Sequence, residues 1–176
     1  MKKIGLFLTL AIVLCACAPA QTEPTALELT SPAFVQDGAL PVSYSCDGGD
    51  VSPALAWTEP PAGTKSFALI MDDPDASATP WVHWVIFNIP ASTRGLEEGL
   101  PTDAQLSDES IQGKASPYTT GYHGPCPPGG THHYVFKLYA LDTKLDLDET
   151  ANKDALLEAM EGHILANDEL IGTFSR

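Results

Sequence analysis

Residues 66–89 read SFALIMDDPDASATPWVHWVIFNI, and this stretch decides the fold. Ser66 to Met71 and Val82 to Ile89 are short runs rich in β-branched and aromatic residues, the composition of strands. Between them, Asp72 to Pro80 is acidic, small and Pro-containing, which is loop chemistry. The same pattern extends in both directions. Leu40 to Tyr44 and Tyr134 to Leu141 read as further strands. Pro53, Pro60-Pro61-Ala62-Gly63, Pro90 and Tyr122 to Gly130 punctuate the chain between them. One convincing helix is expected from about Asn152 to Ala166. There Ala155, Leu156, Ala159, Met160 and His163-Ile164 form an apolar stripe at helical spacing, and Asp148 or Asn152 is a suitable N-cap. Ile171 to Phe174 has the composition of a last short strand. The expectation is a β-dominated domain with one late helix on its flank.

The N-terminus is different in kind. Lys2 and Lys3 precede an apolar run, Ile4 to Leu14, of about a dozen residues, short of the roughly 20 that span a bilayer. The run ends in Leu14-Cys15-Ala16-Cys17, the pattern of a bacterial lipobox, in which a small residue precedes the cysteine that becomes the lipidated N-terminus. Cys17 fits that role. Cys15 does not, because Leu14 is too bulky to sit before a cleavage point. An ordinary secretory cleavage near Ala18 or Ala20 is the alternative. The reading is a signal peptide over residues 1–16, a small, polar, Pro-containing tether over 17–28, and a single domain over 29–176. That domain is long enough, at about 150 residues, to bury a core of its own. The protein is then expected in the bacterial envelope, held by acyl chains on Cys17. Ala18, rather than Asp, after that cysteine points to the outer membrane if the source is Gram-negative.

The formal charge of the 176 residues is −14, and removing Lys2 and Lys3 makes it more negative still. Such a chain cannot bind nucleic acid by neutralising phosphates, nor grip anionic lipid through a polybasic patch. The domain keeps two cysteines, Cys46 and Cys126. In an exported protein they either form a disulfide or remain two buried thiols.

Three segments concentrate chemistry: Asp72-Asp73-Pro74-Asp75, Trp81-Val82-His83-Trp84, and Gly121 to Tyr134 (GYHGPCPPGGTHHY). Alternation along a strand puts His132 and Tyr134 on one face with His133 and Val135 on the other. The same rule groups Trp81, His83, Val85 and Phe87. If the chain stays extended through Pro74, Asp73 and Asp75 share a direction. A carboxylate, two imidazoles and a phenol can then converge. Imidazole N–H and phenol O–H are donors, and a Gly/Pro-rich loop can aim backbone N–H groups inward, all of which suit a phosphate or carboxylate. Asp73 makes sense there if it orients a histidine or meets a cationic end of the ligand, to which Trp81 or Trp84 could add cation–π attraction. A phosphorylated, amine-bearing head group satisfies these demands. A metal does not, since His132 and His133 point apart and cannot easily share one ion. His123 and His163 read as surface or helix-packing residues. No Gly-x-Ser-x-Gly or His-Glu-x-x-His occurs and no cofactor motif is present, so a hydrolase built on an Asp–His pair is the weakest reading.

The ordered set of Asp-Pro-Asp-Ala at 73–76, His-Trp at 83–84, Gly-Pro-Cys-Pro-Pro at 124–128 and His-x-Tyr at 132–134 resembles the signature blocks of the phosphatidylethanolamine-binding protein family. The match is closest to its bacterial Raf-kinase-inhibitor-like branch. It continues through Tyr44-Ser45-Cys46-Asp47-Gly48, Ser52 to Trp57, Tyr139 to Asp142 and Ala159 to Ala166. The resemblance implies a β-sandwich of two antiparallel-rich sheets with a small anion cavity near one end. It implies ligand contacts from Asp73, His83, His132 and Tyr134, with Trp84 alongside and Pro125, Cys126 and Pro127 forming a wall. Two departures fall at the rim: His133 stands where the family usually carries Arg, and Gln112 to Thr119 lacks the expected Asn/Gly-rich pattern. The implied function is a non-catalytic binding module for a small anionic or phosphoryl ligand, a phospholipid head group included. Inhibition of an envelope hydrolase or kinase through protein contact is the runner-up.

Overall fold

The computed structural model describes residues 26–176. The expected signal peptide over 1–16, the lipidation site Cys17 and most of the tether lie outside those residues.

Two sheets form the architecture. The larger has six strands in the order β2 (Gly38–Ala39), β9 (Ile164–Ser175), β8 (Thr131–Leu141), β4 (Ser66–Asp73), β5 (Trp81–Pro90) and β7 (Ile111–Gln112). All its pairings are antiparallel except β2 with β9. The smaller sheet orders β1 (Leu29–Thr30), β3 (Leu55–Trp57) and β6 (Gly95–Leu96), again antiparallel. One helix, α1 (Lys153–Met160), completes the set.

The large sheet is covered on both faces, which explains why residues 67–71 are apolar without a polar alternate. Phe67, Leu69 and Met71 face the small sheet and join Leu29, Leu55, Trp57 and Leu96 in one core. Ala68 and Ile70 face the other way and pack with Val85, Phe87, Leu156 and Met160 in a second core under α1. Every residue of β4 is consequently buried.

Three expectations need correction. Leu40 to Tyr44 is not a strand. Leu40 is in the core, and Pro41 opens a 3-10 turn over Val42–Tyr44. The helix stops at Met160 instead of reaching Ala166. Asn152 caps its start, accepting the Ala155 N–H at 3.0 Å. Its end is set by Gly162, whose φ of +78° turns the chain out of the helix. The residues that continue the helical pattern in sequence, Ile164 to Ala166, pair instead with Leu141 and Ala140. The final strand therefore runs twelve residues, far beyond Ile171 to Phe174. Long-range pairing overrides local periodicity here.

Candidate functional site

β4 ends in Asp73, and the turn that follows is built by its own acids. Asp73 Oδ1 accepts the Asp75 N–H at 2.8 Å, an Asx turn encouraged by Pro74. The turn also separates the two carboxylates. Asp73 Oδ2 accepts from His132 Nδ1–H at 2.8 Å, while Asp75 Oδ2 accepts the backbone N–H (2.8 Å) and ring Nδ1–H (2.7 Å) of His133. The alternation expected on β8 holds: His132 points to the cavity and His133 to the surface. The extended path expected through Pro74 does not, so Asp75 faces the rim. His133 holds the Asp75 carboxyl below the usual carboxylate range.

On β5 the strand alternation is broken. Met71 pairs with Trp84 and Asp72 with Val82, so His83 is the extra residue of a β-bulge. The bulge sends Trp81 and His83 to the cavity while Val85 and Phe87 pack under α1, dividing the four residues that simple alternation places together. It also turns Trp84 into the main core, fully buried, with its indole N–H on Gln112 Oε1 at 2.7 Å. Trp84 is therefore a core residue and not part of the cavity wall. Tyr122 packs edge-on against it, 5.6 Å between centroids.

The segment 121–128 closes the cavity. Cys46 and Cys126 are bonded. The Cys46 N–H also donates to the Pro125 carbonyl at 3.1 Å, and Asp50 accepts the Gly124 N–H at 2.6 Å. Pro125 itself serves in this tie, whereas Gly124, Cys126, Pro127 and Pro128 form the wall. His123 joins the loop to β5 in both directions. Its N–H donates to the His83 carbonyl at 3.0 Å, and its carbonyl accepts His83 Nδ1–H at 2.7 Å.

These elements enclose a cavity of about 430 Å³ lined chiefly by Asp50, Asp73, Trp81, His83, His123 and His132, within the range of small-ligand sites. Asp73 and His83 are 3% and 5% exposed. Burial pushes the His83 ring below its ordinary value, so it is a neutral imidazole. Tyr134, expected as a ligand contact, does not line the cavity; it is a core residue beneath it, its ring edge-on to His83 at 5.2 Å. Its hydroxyl lies near Asp73 without hydrogen-bond geometry to it, and burial, then that charge, raise its pKa. Among the described residues, the Tyr134 hydroxyl and His123 Nε2 are buried polar atoms with no partner. Such atoms are rare in native proteins, and a third, Ser110 Oγ, lies outside the cavity lining.

Sequence reasoning missed His123 and Asp50. Both come from loops, where no periodicity signals direction. Their only signal was the Gly/Pro-rich run beside His123 and the Cys46 turn beside Asp50. Among the described residues no cluster of three or more His, Cys, Asp or Glu has the geometry to hold a metal ion, and no helix is long and apolar enough to cross a membrane.

Comparison with known proteins points one way. Residues 30–175 match the family model described as phosphatidylethanolamine-binding protein. A UPF0098 protein of Methanothermobacter thermautotrophicus is 52% identical over 150 residues, covering 85% of this chain and 99% of that protein. One from Chlamydia muridarum is 42% identical over 155 residues, covering 85% and 99%. Two solved structures superimpose closely. The Chlamydia trachomatis phosphatidylethanolamine-binding protein homolog CT736 gives a TM-score of 0.79 at 39% identity, over 86% of this chain and 98% of that one. YbcL of E. coli, described as a member of the mammalian family, gives 0.77 at 31% identity, over 86% and 99%.

Proposed function

The chain belongs to the phosphatidylethanolamine-binding protein family, and from that premise we propose a binding module whose cavity captures a small oxyanion, in particular a phosphoryl head group. One observation carries the reading. Three imidazoles, those of His83, His123 and His132, line one cavity beside the buried carboxylate of Asp73. A phosphoryl group would offer hydrogen-bond partners to several of them at once. The carboxylates of Asp50 and Asp73 give an ammonium group on the same ligand a place to sit, which favours an amine-bearing head group over a bare anion. The sequence of residues 1–17 supports a tether to the bacterial envelope through lipidated Cys17. A mass for the mature N-terminus lacking acyl chains would contradict that part.

The test is calorimetric titration with phosphate, phosphoethanolamine and acetate, alongside His83→Ala. The expected result is saturable binding, tighter for phosphoethanolamine than for phosphate and lost in the variant. No heat with any of the three, from a folded protein, would sink the small-ligand reading and leave contact with a protein target as the better account.

A further inference from the structure

The hydrogen bonds around the cavity fix where its protons sit. His83 Nδ1 is 2.7 Å from the His123 carbonyl oxygen, which can only accept, so the proton of the neutral ring is on Nδ1. His132 Nδ1 is 2.8 Å from Asp73 Oδ2, which places a proton on that nitrogen too. In each neutral ring Nε2 is then a lone pair. Asp50 and Asp73 add two carboxylates, and among the described residues no lysine or arginine lines the cavity. Hydroxyls of Ser116 and Thr119 on the wall can donate but carry no charge. An oxyanion entering this site with both rings neutral would meet their lone pairs and two carboxylates, with no lysine or arginine on the wall to receive it.

We propose that the cavity takes up its oxyanion together with one proton, held on His132 Nε2. The occupied site would contain an Asp73–imidazolium pair whose outer N–H points at the ligand. This rests on the oxyanion-binding reading above and adds the source of the positive charge. His132 is the ring that takes the proton because a carboxylate bonds its far nitrogen. His83 has only a backbone carbonyl as partner and is more deeply buried, a setting that disfavours the charged form.

The groups facing His132 come from every element around it. They are Asp73 on β4, Asp75 on the following turn (already engaged by His133), His83 on β5, Tyr134 on β8 itself, His123 on the closing loop and Asp50 beyond it. Arg176 lies farther out, against Cys126 and paired with Asp47 at 2.9 Å.

The sign follows. A proton bound with the ligand makes affinity rise as pH falls, by up to about tenfold per unit. The probes are glycerophosphoethanolamine, a phosphodiester, and sulfate, neither of which ionises near neutrality, so any proton taken up lands on the protein. Calorimetry in two buffers of different protonation enthalpy should show uptake of about one proton per ligand bound. Uptake with the diester alone would assign the site to head groups, and with both to oxyanions generally. His132→Gln keeps a donor near the Nε2 position without a proton to exchange. It should bind with a flat pH profile and no uptake. Nitrogen NMR of the wild-type His132 ring, which does not depend on that variant folding, should show the Nδ1–H tautomer when free and both nitrogens protonated when bound. Binding without proton uptake, or a free His132 already in the Nε2–H form, would overturn the proposal while leaving oxyanion binding intact. Failure of both probes to bind at any pH would overturn both.

Discussion

Tyr134 is wholly buried, with its ring in the sandwich core and its hydroxyl unpartnered beside Asp73. A hydroxyl buried without a partner burdens the free protein. Tyr134→Phe is therefore expected to unfold no more easily than the wild type, and to gain up to about 1 kcal/mol in chemical denaturation. The same variant should bind phosphoethanolamine roughly fivefold to tenfold more weakly, the worth of one neutral hydrogen bond. A clear loss of stability would mean the hydroxyl has a structural partner after all. Most of this cluster was legible in the sequence. Asp73, His132 and Tyr134 follow from a strand end and a period of two, and His83 from the same motif set. His123 was not, because its backbone carbonyl does as much as its ring in orienting His83, and no residue pattern encodes a carbonyl's direction.

At the scale of elements, the bulge at His83 decides what reaches the cavity. Counting alternate residues along Trp81 to Phe87 is sound until one residue is added, after which every later side chain changes face. That is why His83 and Val85, two apart in sequence, end on different faces. The second decisive element is the loop over 121–130, which carries a cavity wall yet has little packing beneath its Gly129-Gly130 end. Its anchor is the Cys46–Cys126 bond, closing a separation of 80 residues. Chain-entropy arithmetic assigns such a crosslink about 4 kcal/mol. The double variant Cys46→Ser/Cys126→Ser is expected to lose about 2–4 kcal/mol in denaturation, with weaker ligand binding while still folded. Unchanged binding in the folded double variant would show that the backbone hydrogen bonds of the loop suffice to hold the wall. The late helix was legible at its start through the Asn152 cap but not at its end, where β8 supplied a pairing partner that the local sequence cannot reveal.

For the molecule as a whole, the two-sheet plan with one helix follows from how apolar residues are distributed. A central strand with five consecutive apolar residues, Phe67 to Met71, has to be covered on both faces, and here one cover is the small sheet and the other is α1. The covers themselves were harder to read. β1, β3 and β6 are two or three residues each, too short for any periodicity to register. The strongly acidic composition directs attention away from polyanions. In that setting one measurement tests the central claim most directly: NMR chemical-shift mapping of the protein during titration with phosphoethanolamine. Saturable shifts concentrated at His83, His123, His132 and Tyr134 are the expected result. Shifts that gather elsewhere, for example along the separate hollow between Gly95 and Asp108, or none at any concentration, would contradict the account.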